Sequence, residues 1–420
     1  MSIGAYIMIH TGIGNTFEAL PVDLEGAVTE IRIEQHLDRR TSFAIRFQED
    51  FEEGEAATIT ADQLRGAKGV AIAVASGGGQ AAKNGLGPPP NQAEQLVCLV
   101  RGQIENSEAS IAMAGAGSWY EVRGRDVRTA IDREVKGHSV AGTVDQIAAQ
   151  ILGEITTTGV DVGDSVAEYE DDYPYRFFGT LLEGLERLAT LCNYPVWLDY
   201  PIKRAALAVN LLGPAQFEID VHGHFEPSPP RAADAPPGPP IDLGLLGDDM
   251  PYLRLMGSDE AQENVVDFAM RNDSEAYSCV ASSVVDSETG QAVELDDQES
   301  GQEPITKDGE DVKTAGAEDC DRRLVINKVG RPDIAASAAR AAANDASWYV
   351  KANALTTVHM LGEVLQPHDL VEVIGGGCGI AGTFQVEKVT HVINAAAHWM
   401  HIDLRSNSRS LKPPKQGVLG

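Results

Sequence analysis

The sequence predicts a mainly β protein with an α+β insertion. Two stretches, near residues 1–115 and 250–407, are rich in segments where apolar and polar residues alternate, which is the period of a strand with one buried face. Between them, residues 116–200 carry apolar residues at three- and four-residue spacing, the period of a helix. This layout is compatible with two related β-barrels on either side of a small α+β domain.

The clearest strand pattern lies in residues 355–405. Four runs predict a meander: TTVHM, LGEVLQPHDLVEVIGG, GTFQVEKVTHVI and HWMHIDLR. Val371 and Val373 alternate with Glu372 in the second run, and Met400 alternates with His401 in the fourth. A glycine cluster at positions 375–382 predicts a tight connection between the second and third runs. The module is predicted to pair and pack, since it contains no candidate nucleophile, metal cage or phosphate cradle.

The first block contains further candidate strands. They cover residues 20–33, 41–47, 56–60, 70–74, 96–103 and 109–113. The Gly- and Pro-rich stretch 76–92 predicts a long surface loop between two of them.

The middle of the chain changes character. Residues 119–124 predict a short strand and residues 126–134 a short helix. Ser139 or Thr143 is placed to cap the next helix. The apolar face of that helix carries Val144, Ile147, Ala148 and Ile151.

The longest helix of this region is predicted over residues 175–192. Its apolar stripe contains Phe177, Phe178, Leu181, Leu182, Leu185, Leu188, Ala189 and Leu191. Asn193 is a typical stop signal, and residues 195–198 then predict a buried strand.

These elements predict three domains and a tail. The first β-barrel covers residues 1–115, the α+β domain 116–200, the second β-barrel 201–411 and the tail 412–420. The second barrel is expected to carry a Pro-rich loop at 222–247, an acidic loop at 286–321 and a helix at 333–347 with Asp333 as its N-cap. Its further candidate strands lie at 253–256, 265–269 and 277–285.

The chain of 420 residues is strongly acidic. It carries 63 Asp and Glu against 33 Lys and Arg, a formal net charge of −30. Duplex binding needs Lys and Arg facing the phosphates, so the balance argues against that role. It suits a surface that nucleic acid passes without adhering, because like charges repel. It is also typical of an acidic soluble protein whose charges lie in solvated loops.

Cysteines and apolar runs give no sign of a special environment. The five cysteines are widely spaced and form no C-x-x-C, which predicts reduced thiols rather than a zinc site or a redox pair. The first residues lack the basic and apolar regions of a leader peptide. No run of about 18 apolar residues predicts a membrane span.

Two groups of histidines are candidate metal ligands. An odd separation on a strand places His398 and His401, which lie near His391, on opposite faces. His222 and His224 share a face, but they border the Pro-rich stretch without an evident carboxylate or cysteine partner. We therefore expect strand-surface histidines and assign no metal ligand.

Catalytic patterns are also missing from the sequence. The glycines near residues 13–15 and 76–87 match neither a P-loop nor a dinucleotide fingerprint, and no G-x-S-x-G occurs. The acidic residues of positions 168–172 precede the longest helix, where negative charge favours a helix N-terminus. No catalytic residue, cofactor-binding residue or cofactor is predicted, and the chain is not expected to be an enzyme.

Several of these segments together resemble the central hub proteins of contractile phage tails, the late control D family, and the hub part of type VI secretion spike proteins. EVRGRDVRTAIDRE at 121–134 is similar to the strand, Gly, x, Asp and short helix that open their α+β domain. TLLEGLERLA at 180–189 and the strand around Trp197 resemble its end. The C-terminal runs from Leu361-Gly362 to residue 407 resemble the family's second barrel, although His368 stands where the family commonly has Gly. The resemblance covers residues 95–410.

The resemblance implies two tail-tube-like barrels that form a pseudo-sixfold ring when three chains associate. Such a homotrimer would join a central spike protein to the sixfold tail tube or its initiator, among baseplate wedge proteins, and DNA or effectors would pass its lumen without specific binding. The chain would then be part of a virion tail baseplate or injection particle, assembled in the bacterial cytoplasm, with no membrane insertion. A tail-associated cell-wall-degrading enzyme and a β-rich receptor-binding protein are the alternatives.

Overall fold

The protein is described by a computed structural model. The structure describes residues 4–12, 14–49, 51–52, 55–56, 64, 69–75, 96–112, 117–164, 167–204, 216–227, 251–255, 263–272, 279–286, 289–298, 300, 302, 305, 323–375 and 380–408.

Strands dominate this part of the chain. The first strands are β1 Ala5–His10, β2 Thr16–Ala19, β3 Val28–His36, β4 Ser42–Gln48, β5 Phe51–Glu52, β6 Glu55–Ala56, β7 Val70–Ala75, β8 Leu96–Ser110 and β9 Trp119–Asp126. The next are β10 Lys136–Val140, β11 Gly142–Thr143, β12 Gly159–Val162, β13 Glu168–Tyr169, β14 Tyr175–Gly179, β15 Val196–Asp199, β16 Ile202–Arg204, β17 Gln216–Ile219 and β18 His222–Phe225. The last are β19 Tyr252–Arg254, β20 Asp267–Asn272, β21 Cys279–Asp286, β22 Ala292–Gln298, β23 Arg323–Gly330, β24 Val350–Thr357, β25 Leu370–Ile374, β26 Gly382–Asn394 and β27 His398–Ser406.

Helices are fewer and shorter. They are α1 Val22–Ala27, α2 Val144–Leu152, α3 Leu181–Cys192, α4 Pro332–Ala346 and α5 Val358–Leu361, with a 3-10 turn at Val127–Ile131. Within the described ranges, no helix has the length and apolar character that crossing a bilayer requires.

One large sheet joins the two ends of the chain. Its strands follow the order β16-β17-β2-β1-β7-β8-β9-β4-β3-β26-β27-β24-β20, and β25 and β19 attach beside β26. The junction is the antiparallel pair β3–β26, in which Ile31 lies opposite Ile393 and Ile33 opposite His391. The mainly β class is therefore confirmed, and the two strand-rich blocks form one continuous sheet.

The main core contains residues from both ends of the sequence. Its fully buried side chains include Ile31, Ile45 and Ile72 from the first block and Ile402 and Leu404 from the last. Full burial of one such side chain contributes roughly 1.5–3 kcal/mol to stability. The alternation predicted for residues 400–405 is confirmed as far as Leu404: Met400, Ile402 and Leu404 are 0% exposed and His401 is exposed, whereas Arg405 is buried.

A helical region has its own core with β15 and β18, and its helices begin at local signals. Thr180 caps α3: its hydroxyl accepts from the Glu183 amide, and the Glu183 carboxylate accepts from the Thr180 amide. Asn193 ends α3 in the left-handed conformation with φ 56°, as the sequence predicts. Thr143, rather than Ser139, precedes α2, and Ser139 lies in β10.

Three predicted elements have different boundaries. Residues 175–179 form β14 instead of the first turns of a helix, because Thr180 fixes the helix start. Residues 22–27 form α1 within a run predicted as a strand. Residues 358–361, in the TTVHM run, form α5, which Thr357 caps by accepting from the Met360 amide.

Both predicted loops of the second barrel contain strands. The Pro-rich loop was expected from residue 222, yet His222–Phe225 form β18 between β12 and β15, where three strands share backbone hydrogen bonds. Ala292–Gln298, within the predicted acidic loop, form β22 against β21. Most side chains of β22 are exposed to solvent, which is why this strand can carry carboxylates. Most other residues of these two loops, and the loop predicted at 76–92, lie outside the described residues.

Other predicted features lie close to their expected places. The helix predicted at 333–347 is α4, but Arg331 occupies the N-cap and Pro332 the first helical position, so Asp333 lies in the first turn. β16 and β17, assigned by prediction to the second barrel, pair instead with each other and with β2. The three-domain division stays a prediction. Cys98, Cys192 and Cys279 are free thiols, while the other two cysteines lie outside the described residues.

A buried polar chain crosses the junction of the large sheet. The Gln35 amide nitrogen donates to the Leu99 carbonyl at 2.8 Å, so its oxygen accepts from His391 Nε2 at 3.0 Å. His391 Nδ1 then accepts from His398 Nε2 at 2.9 Å. Both imidazoles are neutral in this arrangement, in which each bonded ring nitrogen has one defined role.

Acid is expected to destabilise the fold through this histidine pair. Burial lowers the pKa of His398 to about 4 and lowers the pKa of His391 well below its usual value. The unfolded chain binds these protons near pH 6.5, so between pH 6.5 and 4 it holds more protons than the folded chain. Each of the two histidines should lower the free energy of unfolding by on the order of 2 kcal/mol from pH 7 to pH 5, measured by urea unfolding.

The matched variants are His398→Gln and His401→Gln. His401 lies on the same strand and is exposed, so its removal should leave the pH profile unchanged. His398→Gln should make the profile between pH 7 and 5 less steep, since only the buried His391 then remains of the pair. Equal profiles for both variants would show that the buried pair does not drive the acid effect.

Candidate functional site

The junction between the large sheet and the helical region starts at Gly124. Gly124 lies in β9 opposite Phe43 of β4. A Cβ at this position would collide with the Gln103 carbonyl and the Phe43 ring. Glycine is therefore required for β8 and β9 to approach closely, which explains the Gly of the Gly-x-Asp pattern in the sequence.

Asp126, two residues further on, ends β9 and organises the chain around it. Its Oδ1 accepts from the Arg128 amide at 3.0 Å and so caps the 3-10 turn. Its Oδ2 accepts from the Thr41 amide at 2.7 Å and from Arg128 Nη2 at 2.7 Å. Asp126 is fully buried, so these donors replace the water that its carboxylate loses.

Arg128 connects this carboxylate to two other segments. Nη1 donates to the Val196 carbonyl of β15 and Nη2 to the Arg39 carbonyl, each at 2.8 Å. Burial alone would lower the pKa of Arg128, but Asp126 opposes this and the net shift is upward, so the guanidinium stays charged. One ion pair therefore holds the β3–β4 turn, the end of β9 and the helical region together.

Trp197 of β15 carries two histidines on its ring. His224 stacks on it with 4.5 Å between ring centroids and an interplanar angle of 2°. The His368 ring centroid lies 3.8 Å away at 32°. His368 has φ 81°, the left-handed conformation that favours Gly. The backbone at position 368 therefore has the conformation that suits Gly, the residue common there in the family that the sequence resembles.

His222 and His224 face a set of carboxylates. His222 Nε2 lies 3.1 Å from Asp161 Oδ2, and His224 Nδ1 lies 3.7 Å from the same oxygen. His224 also approaches Asp199 Oδ2 at 2.9 Å and Glu226 Oε1 at 3.1 Å. The expectation that these histidines lack carboxylate partners is therefore wrong. The sequence does not show Asp161 beside them because it arrives on β12, about sixty residues earlier.

The charge state of His224 follows from these neighbours. Burial disfavours the imidazolium, but the hydrogen bonds that it donates to Asp199 and Glu226 outweigh burial and raise the pKa of His224 to about 9. Asp161, His222 and His224 each offer one ligand atom, and the three atoms lie within 4.8 Å of one another. This is the group of described residues that could hold a metal ion.

The remaining residues considered in the sequence do not converge. His398 pairs with His391, and His401 is exposed on the other face, as the odd spacing predicts. The acidic residues at 168–172 are exposed and precede β14, so they do not lie at the start of α3. Gly14 lies in the β1–β2 turn, while the glycines of 76–87 lie outside the described residues.

The outer face of β3, β4, β9 and β8 carries paired charges. Glu121 binds both Arg46 and Arg123, at 2.8 and 2.5 Å. Arg123 Nη2 also lies 3.3 Å from Glu108. Arg32 binds Glu34, and Arg125 lies 3.7 Å from Glu105. The arginines of this face are therefore engaged by glutamates of the same face.

Comparison with solved structures identifies the fold. The tail protein from Neisseria meningitidis MC58 aligns over 96% of this chain and 96% of its own, with a TM-score of 0.55 and 12% identity. The 43 kDa tail protein of prophage MuSo2 from Shewanella oneidensis aligns over 96% of this chain and 98% of its own, with a TM-score of 0.53 and 14% identity. The chain has the fold of phage tail proteins. No protein-family model matches the sequence, and no curated protein matches it significantly.

Removing Arg128 should strongly destabilise the protein. Arg128→Met leaves the Asp126 carboxylate buried without its counter-charge, which costs about 3–5 kcal/mol. Arg123→Met is the matched control, because the Arg123 side chain is 53% exposed and its loss should change the free energy of unfolding far less. Urea unfolding of both variants measures the difference. Similar losses would contradict a dominant role for the buried pair.

His368 offers a test of backbone strain. His368→Gly and His368→Ala both lose the ring on Trp197, but only Ala keeps a side chain in the left-handed conformation. The greater entropy of Gly in the unfolded chain offsets part of the gain from relieved strain. The free energy of unfolding of the Gly variant should still exceed that of the Ala variant by roughly 0.5–1 kcal/mol. The same pair of changes at Asn193, with φ 56°, is the control and should rank in the same order. A more stable Ala variant at 368 would exclude strain there.

Proposed function

We propose that this chain is the structural hub of a contractile tail baseplate. In this role three copies join a central spike to the sixfold tail tube or its initiator and surround the channel. The observation that carries the proposal is the shared fold with two tail proteins over at least 96% of every chain compared. The hub-like segments of the sequence, including the Gly124-x-Asp126 pattern, support the narrower assignment within tail proteins.

Open strand edges support assembly with further copies. Among the described strands, the path of the large sheet ends at β16 and β20, and β10 and β14 pair only with each other. One face of this ribbon packs on α3, where Phe177 is buried against Gly184. Phe178 on β14 is 72% exposed and Val135, just before β10, is 60% exposed. We propose that this ribbon contacts a neighbouring copy in the ring.

The charge distribution supports a passage role. The net charge of −30 disfavours retention of nucleic acid. On the face formed by β3, β4, β9 and β8, arginines are bound to glutamates and are poor phosphate ligands. We propose that DNA or an acidic effector passes the lumen of the trimer without specific binding.

The proposed role is structural and non-enzymatic. Its partners would be the spike, the tube or its initiator, and baseplate wedge proteins, and the assembled particle would be a virion tail or an injection device made in the cytoplasm. A wall-degrading enzyme is tested by zymography on peptidoglycan, where a cleared band would contradict the structural role.

The purified chain is expected to form a trimer. Size-exclusion chromatography with light scattering should give three times the chain mass, alone or with its spike, because closure of the ring buries the open edges. A stable monomer, both alone and with the spike, would refute the hub.

One variant locates the contact between copies. Phe178→Ser removes an exposed aromatic and should raise the concentration at which the trimer dissociates by about tenfold or more. Val22→Ser is the control, because Val22 is 66% exposed and lies on α1. If both variants stay trimeric at equal concentrations, the ribbon is not the contact, while the measured mass still decides the hub.

A further inference from the structure

The His222–His224 group has no part in the proposed structural role, and the inference drawn from it does not depend on that role. β18 is the central strand of a three-stranded sheet, parallel to β12 and antiparallel to β15. Because side chains alternate, His222 and His224 project from one face while Gly223 faces α2. Asp161 enters from the neighbouring strand, opposite His224.

Hydrogen bonds to the ring nitrogens that do not face Asp161 fix the orientation of both imidazoles. His222 Nδ1 lies 3.2 Å from the Thr158 hydroxyl, which also lies 3.2 Å from the Val221 carbonyl. When that hydroxyl donates to Val221, His222 Nδ1–H donates to Thr158 and Nε2 turns its lone pair towards Asp161. On the other ring, His224 Nε2 donates to Asp199 at 2.9 Å, and Nδ1 of the protonated ring donates to Glu226 at 3.1 Å.

Three lone-pair atoms face one another once His224 Nδ1 gives up its proton, as it must when a metal ion binds. Two imidazole nitrogens and a carboxylate oxygen repel each other unless a cation lies between them. With Zn–N and Zn–O bonds of about 2.0–2.2 Å, two ligand atoms of a tetrahedral zinc site lie about 3.4 Å apart. The distances from Asp161 Oδ2 to the two nitrogens are 3.1 and 3.7 Å, one below and one above this value.

We propose that His222 Nε2, His224 Nδ1 and Asp161 Oδ2 bind one Zn²⁺ ion per chain. Imidazole nitrogens favour a transition metal over Mg²⁺ or Ca²⁺. Glu226, 3.1 Å from His224 Nδ1, supplies a further carboxylate beside the ion. Thr158 and Asp199 bond to the ring nitrogens that do not face the ion and so orient both ligands, an arrangement common for zinc-bound histidines.

The ion has a structural consequence. β12 has four residues, and within the described chain it pairs with β18 alone. Asp161 is 60% exposed at the side chain. A metal bond from Asp161 to two histidines of β18 would fasten this short edge strand to the sheet. Zinc should therefore raise the melting temperature of the whole chain.

The test uses the full chain without a histidine tag, stripped with EDTA and titrated with ZnCl₂ by calorimetry. We expect one Zn²⁺ per chain, no comparable binding of MgCl₂ and a higher melting temperature with zinc. Asp161→Asn should weaken zinc affinity by at least about tenfold and abolish the thermal shift, and Asp199→Asn should weaken it by about 10–100-fold. Asp161→Asn changes an exposed side chain, so the apo protein should melt as the parent does.

Two controls make the assignment specific. Asp164→Asn changes another exposed carboxylate three residues along, and His401→Gln removes an exposed histidine; both should bind zinc as the parent does. Absence of zinc binding, or equal affinity of the parent and Asp161→Asn, would overturn the proposal. Loss of binding in His401→Gln would place the ion elsewhere and would overturn it as well. None of these results alters the oligomer mass that tests the hub.

Discussion

The buried ion pair of Asp126 and Arg128 is the contact on which the arrangement of this molecule depends. Removing two charges from water is costly, and here the cost is offset because the carboxylate and the guanidinium bind each other and backbone groups of the β3–β4 turn and β15. The pair can form only because Gly124 lets β9 lie against β8 at short range. One small residue thus permits a close strand contact, the contact fixes a carboxylate, and the carboxylate holds an arginine that reaches the helical region.

The second constraint is the pairing of β3 with β26. It merges strands from the two ends of the chain into one sheet and one main core. The polar chain from Leu99 through Gln35 to His391 and His398 crosses the same junction and requires neutral imidazoles. Apolar packing supplies the bulk of the stability at this point, while the polar chain favours one register, because a shift by one residue would leave its buried donors and acceptors unpaired.

Much of the fold could be predicted from local pattern, and the site could not. Apolar alternation predicts β25 and most of β27, and Asn193 marks the end of α3. β14 was mistaken for helix because Phe177 and Phe178 continue the helical spacing, although the Thr180–Glu183 capping box marked the true start. The environment of His224 could not be foreseen, since Asp161 and Asp199 arrive on separate strands. Strand order between distant segments depends on tertiary contacts that no window of sequence contains.

The place of β26 in the sheet has a consequence for how the protein is made. Its first residues pair with β25 and residues 388–394 pair with β3 along the same edge, with an irregular register near Glu387. Gln35 and His391, which bond across this junction, are 356 residues apart. During translation the edge of β3 that pairs with β26 therefore stays unpaired until residues 388–394 have left the ribosome. Closure of the sheet is therefore a late step of folding, and until then β3 is a site where nascent chains can associate wrongly and where a chaperone can bind.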